Sequence, residues 1–450
     1  MSEKMQMSSF RGLLIETRDG DWGKAEPSEG LAPYRVIRGG DFESVRLGDV
    51  SRVPLCYLDP KSASRRTLRD QDILIETAGG TKEKPTGRSL LVTKRILDRF
   101  DHPATCASFA RFLRVDPAKA VPGYVYWFLQ GLYQAGEMWQ HQVQHTGVAR
   151  FQFTKFADSV SVPLPNTNVQ HVIAHILGTL DDKIELNRRT NETLEAMARA
   201  IFKSWFVDFD PVRAKASGEP PESICRRLGL SPDVLALFPD SFQDSELGEI
   251  PSGWEIKGLD GIASYLNGLA LQKFPADDDG AWLPVIKIAQ LRAGHTKTAD
   301  RASEAIPKDY VIQNGDVLFS WSGSLEVEIW CGGEGALNQH LFKVTSQQFP
   351  KWFYYLWTKN HLESFRLIAA NKATTMGHIQ RKHLSEAKVV VPALLLIESM
   401  SSILAPIIDQ FISNKLESSM LAKTRDTLLP KLLSGELPSM TLKSVMEAIA

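Results

Sequence analysis

The strongest constraint on this chain is that it repeats itself. Phe151-Gln152 through Phe156, ending in Val160-Ser-Val-Pro163, resembles Ile379-Gln380 through Leu384, ending in Val389-Val-Val-Pro392. Upstream, Tyr124-Val-Tyr126-Trp127 answers to Trp352-Phe-Tyr354-Tyr355, Asp72-Ile-Leu-Ile75 to Asp316-Val-Leu-Phe319, and Val36-Ile-Arg38 to Val285-Ile-Lys287. The order is the same in both halves. The offset falls from 249 to 228 along the chain, which puts the first copy's extra residues mostly between Gly80 and Arg111. Any fold must therefore be built twice.

Each copy begins with short apolar runs bounded by Gly, Asp and Asn, such as Ile73-Leu-Ile75 and Val317-Leu-Phe319, which read as strands. Each ends at a proline and passes into a long helical pattern. In the first copy, Ile173, Leu177, Leu180, Ile184, Asn187, Asn191, Leu194, Ala198, Ile201 and Trp205 step by four and three, a heptad seam. The second copy keeps the seam from Met400 through Leu404 and Ile407 to Phe411, and Asn414 answers to Asn187. Two such seams are expected to pack antiparallel. A buried Asn pair at positions 187 and 414 would fix their register, because misalignment strands an amide in an apolar core. Gly178 and Pro406 fall at nearly the same place in the two patterns, where either could kink or split its helix. Gly435 is placed to end the second helix. The predicted division is 1–165 and 251–393 for two globular halves, 166–208 and 394–436 for helical spacers, 209–250 for a linker with short helices, and 437–450 for a tail.

Composition excludes more than it identifies. With 43% hydrophobic and 23% charged residues, the 450-residue chain is neither disordered nor a disulfide scaffold. A net charge of −1 excludes a polybasic nucleic-acid tail but not a DNA surface, since affinity depends on where cations sit. The apolar runs are too short to predict a membrane span. The N-terminus has no signal-peptide core, and Cys56, Cys106, Cys225 and Cys331 are isolated, which suits reduced thiols in a cytoplasm. Tyr124, Tyr126, Trp127, Trp352, Tyr354 and Trp357 read as core rather than as stacking platforms.

Several runs carry a family resemblance. Leu180-Asp-Asp-Lys-Ile184 with Asn187, and Ala200-Ile-Phe-Lys-Ser-Trp-Phe-Val-Asp208, are similar to the central helical region of type I restriction–modification specificity subunits. Leu428-Leu-Pro-Lys-Leu-Leu-Ser-Gly-Glu436 is similar to their distal one. Ile250-Pro-Ser-Gly-Trp254 and Leu337-Asn-Gln-His-Leu-Phe342 resemble hallmarks of their target-recognition domains. The resemblance implies an α+β chain with two mixed α/β recognition domains separated by long antiparallel coiled-coil helices, in a pseudo-two-fold duplication. It further implies double-stranded DNA as ligand, each domain reading half of a bipartite site. Two methylation subunits and further restriction subunits are the implied protein partners, with no membrane. No catalysis or cofactor is implied for the chain itself; S-adenosylmethionine, ATP and Mg would belong to the partners.

The residues agree with the absence of catalysis. There is no Asn-Pro-Pro-Tyr-type methyltransferase motif and no Gly-x-x-x-x-Gly-Lys-Ser/Thr loop. His171 and His175 lack the intervening Glu of a zinc protease, and no metal site is expected. Pro232-Asp233 with Glu255-Ile-Lys257 satisfies only a loose nuclease pattern, Asp233 reading as a helix cap. A nuclease or methyltransferase with degenerate motifs, and a coiled-coil scaffold that binds protein rather than DNA, are the rival readings.

Candidate DNA contacts lie in loops. Gly79 to Ser89 follows a strand and bears Lys82, Lys84 and Arg88; its counterpart, Ser320 to Ser324, offers Ser322 and Ser324. Arg or Lys can read guanine, and hydroxyls can hold phosphate. A second pair of segments bears Thr146, Arg150 and Gln152, matched by Lys372, Thr374, Thr375, His378, Gln380 and Arg381. Each lies ahead of a short helix and suits base and phosphate contacts.

Overall fold

The duplication extends to strand order. The computed structural model describes residues 6–80, 85–144, 149–276, 280–371 and 377–436. The chain divides into two compact units, 1–186 with 420–450, and 187–419. In the first, one sheet runs Leu14–Asp19, Ala110–Val115, Ile73–Glu76, Ser89–Leu91, all antiparallel. A second runs Leu55–Leu58, Ala32–Ile37, Ala104–Cys106, its last pair parallel. In the second unit, Ser264–Asn267, Leu341–Thr345, Val317–Ser320 and Val327–Ile329 take the same order and senses. Arg301–Ser303, Trp282–Ile286 and Gly335–Leu337 repeat the sheet with the parallel pair, and Val311–Ile312 adds an edge. A further antiparallel pair recurs as well: Gln6–Ser9 with Ser161–Leu164, and Glu255–Gly258 with Lys388–Val391.

The inner strands Ile73–Glu76 and Val317–Ser320 begin with three apolar residues each because both faces are covered. All four residues of Ile73–Glu76 and of Val317–Ser320 are buried. One cover in each unit is an aromatic-rich helix, Pro122–Gln134 or Lys351–Asn360. Tyr124, Tyr126 and Trp127, and likewise Trp352, Tyr354 and Trp357, are buried. The extra residues of the first copy include the helix Lys94–Leu97. That insertion is tied to the long helix by charge. Arg95 and Arg99 each approach Glu185 at 2.5 Å, and Arg95 reaches Asp182 at 2.7 Å. Glu185 is buried, so its charge depends on these partners.

The long helices run Thr167–Phe202, followed by a π-helical turn at Lys203–Val207, and Leu394–Ser434. Neither Gly178 nor Pro406 splits its helix. A mid-helix proline costs about 3 kcal/mol. Burial of its neighbours Leu404 and Ile408 offsets this, at about 1.5–3 kcal/mol each. Gly435, at φ +74°, follows the second helix in the left-handed conformation that terminates such segments. That helix is long and apolar enough, by composition, to cross a membrane, which its short apolar runs did not suggest. Its Leu396, Ile397, Met400, Leu404 and Phe411 are instead buried in the core of the second unit. The segment between the copies is also more than a linker. It forms helices Asp210–Ala216, Pro221–Leu228 and Pro232–Ala236, and their Val212, Ile224 and Leu235 join the same core as Trp205 and Trp254.

Pairing of the long helices is antiparallel within each unit. In the first, Arg425 is ion-paired with Asp181, which also meets Arg46 at 3.3 Å. In the second, Asn187 lies against Asn414 and Asn191 against Phe411. The side-chain amide pair is Asn414 with Asn191, not with Asn187: Asn414 Nδ2 donates to Asn191 Oδ1 at 2.9 Å. Asn191 Nδ2 donates to the Phe411 carbonyl at 3.0 Å, and Asn187 Nδ2 to Glu417 Oε2 at 2.6 Å. All three asparagines are buried. Asn414→Leu alone leaves Asn191 Oδ1 without its donor and is expected to cost about 1–3 kcal/mol, read as a lower urea midpoint. Replacing Asn191 and Asn414 together with Leu removes both partners and should recover most of that loss. Equal loss in the single and double variants would show that the pair does not act as a unit.

Candidate DNA interface

Two candidate segments in each unit, far apart in sequence, are brought together by the same hydrogen bond. In the first unit Phe151 N–H donates to the Thr77 carbonyl at 2.9 Å; in the second Ile379 N–H donates to the Trp321 carbonyl at 3.0 Å. Around the first bond, Ala78–Gly80, Ala149–Phe151 and Gln142–Gln144 form a small antiparallel sheet. Around the second, Ser322 bridges to His378 and Gly323 N–H donates to the Gly377 carbonyl at 2.9 Å. Each unit thus presents one continuous strip, formed where the buried strand Ile73–Glu76 or Val317–Ser320 emerges from its sheet. Loop backbone anchored on a rigid strand is a suitable base for specific contacts.

The individual candidates fall into three groups. Lys82, Lys84, Thr146, Lys372, Thr374 and Thr375 lie outside the described residues. Arg150, Gln152, Ser324, Gln380 and Arg381 are exposed on the strips, and His378 is half-buried. Gln380 also acts as the cap of helix Arg381–Glu386: its side chain accepts from the first-turn backbone, and its own N–H donates to His383 Nδ1 at 3.0 Å. The Arg381 guanidinium lies 5.8 Å from the Phe342 ring centroid.

Arg88 and Ser322 differ from expectation. Arg88 donates through Nε and Nη2 to the two carboxylate oxygens of Glu76, at 2.9 and 2.6 Å. Glu76 is 2% exposed, so the guanidinium compensates a buried carboxylate, and that hydrogen bond holds the Arg88 pKa above its ordinary value. Ser322 is buried and bonded to His340 Nδ1 at 2.9 Å. The clamp went unseen because Glu76 reads from sequence as an ordinary strand end. Gln339 and His340 were present only inside a hallmark run; the Gln339 carbonyl accepts from Trp321 Nε1 at 3.2 Å, which places that run beneath the strip.

Among the described residues there is no cluster of three His, Cys, Asp or Glu suited to an ion. His171 and His175 are exposed on the first long helix. Ser231, not Asp233, caps helix Pro232–Ala236, and Lys257 pairs with its neighbour Glu255 at 3.4 Å.

The profile of the type I restriction modification DNA specificity domain matches residues 93–196 and 251–419, more than half of the chain. The chain belongs to this family. Among relatives, it is 27% identical over 319 residues to the type I restriction enzyme HindI specificity subunit of Haemophilus influenzae, covering 62% of this chain and 69% of that one. It is 26% identical over 325 residues to the MjaIX specificity subunit of Methanocaldococcus jannaschii, covering 70% of each. The fold is similar to a crystal structure of a type I restriction–modification S subunit from M. genitalium, with a TM-score of 0.53 at 15% identity over 96% of this chain and 97% of that one. The function of this specificity subunit is sequence-specific DNA recognition in a type I restriction–modification system.

The Arg88 clamp separates a structural role from a reading role. Arg88→Ala leaves the Glu76 charge buried and unpaired and should lower unfolding free energy by about 2–3 kcal/mol. Adding Glu76→Gln to that variant should restore about half of the loss. Chemical denaturation of the full chain checks both. An Arg88→Ala variant of undiminished stability would show that the pair contributes nothing to folding.

Proposed function

We propose that each strip reads one half of a bipartite site in double-stranded DNA, and that this subunit does no chemistry itself. The observation that carries the reading is the repeated backbone pairing of Thr77 with Phe151 and of Trp321 with Ile379, which assembles equivalent surfaces with different side chains. Equivalent scaffolds with unlike surfaces suit a site whose halves differ in sequence. On this reading the long helices receive two methylation subunits, with restriction subunits joining them. S-adenosylmethionine, ATP and Mg then belong to those partners, and the assembly works in the cytoplasm.

Exchanging residues 251–393 for the same region of a relative should change one half of the methylated site and leave the other intact. Sequencing of methylated adenines in cells carrying the exchanged chain reads this out. A change in both halves, or in neither, contradicts the modular reading. Within the first strip, Arg150 is an exposed cation on Ala149–Phe151. If it meets a phosphate, Arg150→Ala should weaken binding to all sequences alike and reduce the salt slope by about one charge. An unchanged slope would place Arg150 away from the backbone.

A further inference from the structure

The two strips are most comparable at their rims, and there the units differ in chemistry. In the first unit Gly20 N–H donates to the Ala110 carbonyl at 3.0 Å and Asp21 N–H to the Cys106 carbonyl at 2.8 Å. In the second, Gly268 N–H donates to the Leu341 carbonyl at 3.0 Å and Leu269 N–H to the Leu337 carbonyl at 2.9 Å. Both glycines are required by close approach. A Cβ at Gly20 would lie 1.9 Å from the Cys106 carbonyl oxygen, and one at Gly268 would lie 2.2 Å from that of Asn338. The turn Gly20–Gly23 therefore corresponds to the turn beginning at Gly268, and Trp22 to Ala270. Similarly, the Phe109 carbonyl accepts from Thr77 N–H at 2.8 Å, as the His340 carbonyl accepts from Trp321 N–H at 3.3 Å. Phe109 thus corresponds to His340.

Trp22 and Phe109 are 43% and 45% exposed, and their rings meet edge to face with centroids 5.6 Å apart. A single exposed aromatic needs no explanation, but two that pack on one another in water beside a binding strip do. They are not on slack backbone. Asp21 accepts from Ser62 Oγ at 2.8 Å and from Gly23 N–H at 3.1 Å, and Lys24 exchanges two backbone hydrogen bonds of 2.9 Å with Tyr57. Phe109 is fixed through its carbonyl to Thr77, whose own carbonyl holds Phe151. Rigid backbone that holds an apolar pair in solvent is arranged for a partner, and the continuous strip beside it names that partner as the DNA.

We propose that Trp22 and Phe109 make an apolar contact to base edges or a base step of the half-site read by the first unit, at the place where the second unit presents His340. The inference rests on the half-site reading above and adds the residues that give the first half its preference. Apolar contact with a thymine methyl, or a wedge that opens a base step, selects sequence without a hydrogen bond and without cationic charge.

The test uses the full chain assembled with its partner subunits, selecting bound duplexes from a randomised pool. Trp22→Ala with Phe109→Ala should lower the preference at one or two positions of one half-site by about tenfold. It should leave the other half-site and the salt slope unchanged. Both side chains are surface groups, so the melting temperature should stay within a few degrees and loss of preference should not reflect unfolding. Phe109→His, which copies the second unit, should alter preference at the same position. As an independent readout, Trp22→Phe should remove part of the tryptophan fluorescence change on binding the selected duplex. An unaltered selected sequence in the double Ala variant, or an unaltered fluorescence change in Trp22→Phe, overturns the inference while leaving the half-site reading in place. If the unaltered protein selects no two-part sequence, the reading itself fails and the inference fails with it.

Discussion

Each recognition unit depends on burying the aromatic face of one helix, and its sheets alone do not cover that face. Tyr124, Tyr126 and Trp127 share a core with Ile173, Ile176 and Leu177 of one long helix and Leu429 and Leu432 of the other. Trp352, Phe353 and Trp357 share theirs with Ala198 and Phe202 of the first and Met400 and Leu404 of the second. Both long helices are thus part of the core of each unit rather than rods attached to finished domains. An aromatic side chain buries about 150–250 Å2, so removing the helices would expose the largest groups in the chain.

Polar groups then specify what apolar burial leaves open. A heptad seam of Leu and Ile tolerates slippage by a turn. The Asn191–Asn414 pair with Asn187–Glu417, and Asp181 with Arg46 and Arg425, do not, because each slip leaves a buried donor or charge alone. The insertion that distinguishes the first copy adds the same kind of constraint through Arg95, Arg99 and Glu185.

The proposed contact surfaces lie where the repeated scaffold ends. The hydrogen bonds at Thr77 and Trp321, and the tight approaches at Gly20 and Gly268, are the same in both units. The side chains around them are not: Arg88 with Glu76 and Trp22 with Phe109 in one, Ser322 with His340 in the other. A backbone frame repeated in both units with different rims is what the proposed reading of two unlike half-sites requires.

The sequence by itself determined the duplication, the heptad seams and the aromatic core, because these are periodic and local signals carried by residue type. It also located the segments of the strips, since polar loops after apolar strands are visible in one dimension. The tertiary structure decided which side chains on them are available. Glu76 lies twelve residues from Arg88, and no periodicity announces that its carboxylate is buried and needs that guanidinium. Likewise the seam pattern marked three asparagines, but the pairing of Asn414 with Asn191 depends on the stagger of two helices whose residues are 223 apart in the chain. Helix continuity through Pro406 was decided in the same way: local propensity argued for a break, and burial of the surrounding Leu and Ile side chains outweighed it.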